Sequence, residues 1–224
     1  MHLDYILKGE KLKMHNMKAI LFTNMKLDEI VLTTEFIVDV AENIVKKLKP
    51  TAEEVSGLKL SKPKITLSET EIHSSMEYYH NEIFINRKFW KSIGFDHHRT
   101  LYDFEFDIAH ELGHHVSYNI NPRIAINETR FEIIDEGFAE YFSLDLLPKG
   151  ILSEKVVDSY RNWLLESSSF RGIGYRFFRK VIDILCKEEA FSVIKNLDTT
   201  PYELKVPFAY IHRRENGKNR NDNY

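Results

Sequence analysis

Asp107-Ile108-Ala109-His110-Glu111-Leu112-Gly113-His114-His115-Val116 is the stretch whose reading decides how this chain folds. On an α-helix, residues four apart stand roughly 40° apart around the axis and about 6 Å along it. The imidazoles of His110 and His114 can therefore reach one metal ion. Glu111 follows the first imidazole directly and can face the open coordination position of such a site. Ile108, Leu112 and Val116 recur at i, i+4 and i+8, an apolar stripe for the core side of the helix. The competing reading is an amphipathic helix with two surface histidines.

A second segment, Asp135-Glu136-Gly137-Phe138-Ala139-Glu140-Tyr141-Phe142, begins 21 residues beyond His114. A catalytic metal site needs a third protein ligand beside an open position, and a carboxylate from a neighbouring helix can supply it. His-Glu-x-x-His followed by Glu-Gly-x-Ala-x-Tyr resembles the gluzincin metallopeptidases, with motif support over residues 60 to 145.

The resemblance implies an α+β, mostly helical, zincin-like fold, with a small mixed sheet before the active-site helix and a helical C-terminal lobe. It implies Zn2+ held by His110, His114 and Glu136, and Glu140 as the acid that orients a ligand histidine. Gly137, lacking a Cβ, would let two helices close around the metal. The implied activity is zinc-dependent hydrolysis of peptide bonds, in which Glu111 takes a proton from the zinc-activated water and returns it to the departing amine. An amide, with its poor leaving group, most needs both services.

Members of this family also place an oxyanion donor downstream of the third ligand. Tyr175, in Arg171-Gly172-Ile173-Gly174-Tyr175, is the candidate here, and Tyr160 is the rival. The Gly-rich motif that related aminopeptidases carry before the metal helix is absent, which leaves endopeptidase or short-peptide cleavage open. The strand at that position, Glu82–Asn86, is expected to border the cleft and pair with an extended substrate, or else to be a plain core strand. Two other functions fit the same residues. One is a metal-binding or interaction protein on a zincin-like scaffold that no longer cleaves. The other is zinc hydrolysis of a non-peptide amide or ester.

With 43% hydrophobic and 12% aromatic residues the chain is globular, and its net charge of −3 offers no basic field for nucleic acid or anionic lipid. A single cysteine, Cys186, excludes a disulfide framework; it reads as a buried thiol beside Val181, Ile182 and Leu185. Met1 to Lys13 carries five charges and no apolar core, and no run is long enough to span a membrane. The expected location is therefore cytoplasmic, with a peptide or protein as substrate.

Outward from the motif, short strands are expected at 19–22 and 29–32, and an amphipathic helix over 34–49 stopped by Pro50. Residues 64–68 alternate as a strand, and 76–79 and 82–86 form a hairpin about His80-Asn81. His97 and His98 sit in a solvated loop, and Asn127-Glu128-Thr129 is an incidental sequon. The two site helices cover 101–118 and 128–146. Later helices are expected from a Ser153 cap through Leu165, with Trp163-Leu164 buried, and over 175–187 and 191–195. This makes one domain over 1–212, with an N-terminal lobe to about residue 118 and a helical lobe after it, then a disordered tail over 213–224.

Overall fold

A computed structural model describes residues 34–68, 75–92, 101–126 and 128–221, excepting the side chains at 34–36, 90–92, 101 and 217–221. The strands expected at 19–22 and 29–32, the His97-His98 loop and Asn127 lie outside these residues.

Helix α1 (Thr34–Ser56) buries Ile37, Val40, Ile44, Val45 and Leu48 along one face. It does not stop at Pro50, which lies inside it. A proline forfeits one backbone hydrogen bond, but Ala52 is fully buried and Val55 packs on the core beyond it, and that burial offsets the loss. Gly57, with φ of 68°, closes the helix by donating to the Glu53 carbonyl at 2.9 Å.

Three strands follow: β1 (Lys64–Ser68), β2 (Met76–Tyr79) and β3 (Glu82–Asn86), in the order β1-β3-β2. β3 runs parallel to β1 and antiparallel to β2. His80 and Asn81 turn the hairpin with φ of 46° and 68°, as a two-residue connection between twisted strands requires. Ile65, Met76, Ile83 and Ile85 face the core. Because both edges of β3 are occupied, Glu82–Asn86 cannot take an added substrate strand; β2 is the outer strand beside the cleft.

After α2 (Arg87–Ser92), helix α3 (Leu101–Ile120) runs through the middle of the molecule. Every side chain from Phe106 to Ser117 is buried, as in a helix packed on all sides. α1 and β2 pack on it, as does α4 (Thr129–Tyr141), reached through a 3-10 turn at Pro122–Ala125. α4 continues into a π-helical turn, Phe142–Leu146, closed by Leu147 N–H on the Phe142 carbonyl at 3.0 Å. Then come α5 (Glu154–Glu166), α6 (Phe170–Ile184), α7 (Glu188–Asn196), α8 (Pro201–Lys205) and α9 (Pro207–Asn221). The described part is thus mostly helical around a small mixed sheet, and one apolar cluster runs from Ile37 to Ile211.

Four local expectations are corrected. Leu164 is buried but Trp163 points to solvent. α6 starts at Phe170 rather than 175, where Ser169 accepts from Gly172 N–H, so Gly172 and Gly174 lie within the helix. α6 also ends at Ile184, which leaves Cys186 exposed beyond it. Finally, the chain from Arg213 is helical through Asn221, because Arg213 pairs with Glu203 at 2.6 Å and Arg214 with Glu189 at 2.6 Å. Among the described residues no helix is long and apolar enough to cross a membrane.

Candidate metal centre

Two contacts between bare backbones set the geometry of the site. A Cβ on Gly113 of α3 would stand 2.7 Å from the Cα of Ala139 on α4. A Cβ on Gly137 of α4 would stand 2.3 Å from the carbonyl carbon of Gly174 on α6. Gly137 therefore does allow two helices to close, but its partner is α6, while Gly113 seats the metal helix.

At this crossing His110, His114 and Glu136 offer ligand atoms all within 4.8 Å of one another. His110 Nε2 lies 3.1 Å from His114 Nε2 and 3.3 Å from Glu136 Oε2, and His114 Nε2 lies 3.8 Å from Glu136 Oε1. Ligands of a tetrahedral zinc, each about 2.1 Å from the ion, stand roughly 3.4 Å apart. The observed spacings bracket that value, so the trio can hold a metal ion without rearrangement.

Both imidazoles are braced from behind. Glu140, fully buried, places Oε1 3.5 Å from His110 Nδ1. Asp135 Oδ2 stands 2.9 Å from His114 Nδ1, off the line of an ideal hydrogen bond. The Ser117 hydroxyl donates to Asp135 and lies 2.9 Å from the His114 carbonyl. Carboxylates on the Nδ1 side favour a proton there, which turns the two Nε2 lone pairs toward each other. Lone pairs at 3.1 Å repel, and a shared cation or a proton relieves them.

Charges near the rings take the proton route in the metal-free chain. Burial opposes charging His110, but Glu140 and Glu136 outweigh it and raise its pKa to about 10. For His114, burial is likewise outweighed by Asp135 and Glu136, giving about 9. Burial alone would raise the Glu136 and Glu140 carboxyls, yet the histidines and Arg171 hold both below the ordinary range. Glu111 moves the other way: burial pushes it up against the pull of His110 and His114.

These groups open onto a cleft of about 750 Å³ walled by β2, α3 and α4 and by Arg171. Glu111, Asp107, Glu77, Tyr78 and Tyr79 line it. Ser75 donates to Asp107 at 2.6 Å, and Tyr78 Oη lies 3.0 Å from His115 Nδ1.

Tyr175 is not at this cleft. It is fully buried, and its hydroxyl donates to Asp145 at 2.8 Å. Once Phe170 starts the helix, Tyr175 falls on its core-facing side. Tyr160 stacks on Phe106 with centroids 4.1 Å apart, a packing role. The cation that does reach the site is Arg171, whose guanidinium grips Glu140, lies 3.7 Å from Glu136 and comes within 3.5 Å of His110 Nδ1. Sequence reading missed Arg171 and Asp135. Asp135 adjoins the candidate ligand Glu136, a signal that was available; Arg171 carries no local signal.

The chain matches no protein-family model, no curated protein and no solved structure.

Proposed function

We propose that this protein is a zinc-dependent peptidase of gluzincin type, acting on peptide or protein substrates in the cleft beside β2. The observation that carries the reading is the convergence of His110, His114 and Glu136 on one point of a cleft that Glu111 also lines. A zinc ion bound there supplies a Lewis acid that activates water and polarises a carbonyl.

The chain's own groups then have distinct tasks. Glu111 is the proton carrier: burial raises its carboxyl, so it accepts a proton more readily than a solvated glutamate and can return it to a leaving amine. Glu140 and Asp135 hold the two imidazoles in the tautomer that presents Nε2. Arg171 offsets the charge of Glu140 and Glu136 and gives the cleft its fixed positive group. In this reading the chain works in the cytoplasm without nucleic acid or membrane.

Metal analysis and a peptide-library digest test the proposal together. One zinc per chain and cleavage of library peptides are expected. Glu111→Gln keeps the metal and loses turnover by at least about a hundredfold, whereas His110→Ala loses both. Full activity in Glu111→Gln would remove the assigned base. Zinc binding with no cleavage at all would favour a silent scaffold, and turnover of small amides or esters alone a different hydrolase.

A further inference from the structure

α6 borders two concavities. Its first turn brings Arg171 to the metal cleft, while Ile173, Arg176, Arg179 and Lys180 line a separate groove of about 660 Å³ that includes Leu204 and Phe208. Of the ten large apolar side chains left in solvent among the described residues, two, Leu165 and Phe208, line this groove. Ile173, Leu204 and Pro207 complete its apolar lining. An apolar concavity rimmed by charged side chains is the form of a contact surface.

The charge around it is uneven. Arg176, Arg179, Lys180 and Lys205 line the groove against Asp183, three positive charges in excess on a chain whose net charge is −3. Arg176 caps the end of α5 through the Leu164 and Ser167 carbonyls, at 2.7 and 2.6 Å. Lys180 Nζ lies 4.9 Å from the centroid of the Phe208 ring, itself 60% exposed.

We propose that this groove docks an acidic, amphipathic peptide segment of a partner protein. Carboxylates on the segment meet Arg179, Lys180 and Lys205, and its apolar side chains fill the floor between Ile173 and Leu204. Helix-in-groove recognition of this kind uses apolar anchors flanked by complementary charge. A bilayer surface fits less well. The apolar floor is recessed, with Leu204 buried, and of the lining side chains only Leu165 and Phe208 stand out far enough to insert. The inference does not depend on the peptidase reading.

The test uses the full chain and three probes: a fluorescein-labelled peptide with Glu and Leu at helical spacing, its Gln-for-Glu counterpart, and phosphatidylglycerol–phosphatidylcholine vesicles. The Glu peptide is expected to bind, more weakly as salt rises. The Lys180→Glu/Lys205→Glu variant should lose at least about tenfold in affinity, from two reversed charges at the contact. Phe208→Ala should weaken binding too, with circular dichroism and metal uptake unchanged in both variants. Equal binding of the Gln peptide, or no change in either variant, overturns the proposal. So does binding to the vesicles in place of the peptide, or self-association abolished by the same substitutions.

Discussion

Tyr175 donates to an Asp145 carboxylate that Arg161 also holds, at 3.2 Å, so Tyr175→Phe leaves Asp145 partnered. The expected result is a loss of about 1 kcal/mol of stability in a denaturant titration, with kcat unchanged. A fall in kcat without loss of stability would return Tyr175 to the reaction. A second expectation concerns protons. His110 and His114 have pKa values raised to about 10 and 9, so the metal-free site is protonated at pH 7. Their charged forms stabilise the metal-free fold below their unfolded value of about 6.5, and that contribution is lost as pH rises through 9 to 10. Metal uptake must expel these protons, so apparent affinity should climb with pH up to that range. Calorimetry in buffers of different ionisation enthalpy reads the release; a buffer-independent heat at pH 7 would falsify the assignment of the two rings as ligands. At this scale the sequence was legible where chemistry repeats locally. His110, Glu111 and His114 are fixed by the turn of one helix, and Glu136 by its segment. Arg171 was not, because its partner Glu140 lies 31 residues away and nothing around Arg171 announces the meeting.

Helices α3, α4 and α6 meet through glycine, and that makes element packing directly testable. Gly137→Ala would bring a methyl to within 2.3 Å of the α6 backbone, where no side chain can swing aside. We expect at least about 1–3 kcal/mol of destabilisation, read by thermal melting, with weaker metal uptake because Glu136 is the next residue. A neutral melt would mean that the crossing is looser than the backbone distances show. Hydrophobic periodicity located most helices and all three strands, since each buries a face with the right repeat. It failed where tertiary burial overrode a local signal: Ala52 and Val55 carry α1 past Pro50, and Ser169 starts α6 early enough to turn Tyr175 inward. Strand order was invisible for another reason. That β3 lies between β1 and β2 depends on the parallel pairing with β1, which the hairpin signal does not contain.

The whole molecule is closed at its C-terminal end by buried acids with cationic partners on α9. Tyr210 donates to Glu189 at 2.7 Å and Arg214 reaches the same carboxylate at 2.6 Å. Arg214→Ala leaves Glu189 with the tyrosine alone, and a cost of about 1 kcal/mol is expected. For a chain of this size that is a drop of roughly 2–4 °C in Tm, with peptide turnover intact. An unchanged Tm would mean that α9 contributes little to the fold. Composition gave no hint of this arrangement, because Arg213 onward reads as a polar tail until Asp198, Glu189 and Glu203 are brought opposite it. The glycine seam has a last consequence, for the choice of ion. Backbones already in contact cannot move any closer, so the ligand cage cannot shrink below its present bore. Calcium, which prefers six or more oxygens at about 2.3–2.6 Å, is poorly served by two imidazoles and one carboxylate. Cobalt, close to zinc in radius, should slip in and report the cage's symmetry through its visible absorption.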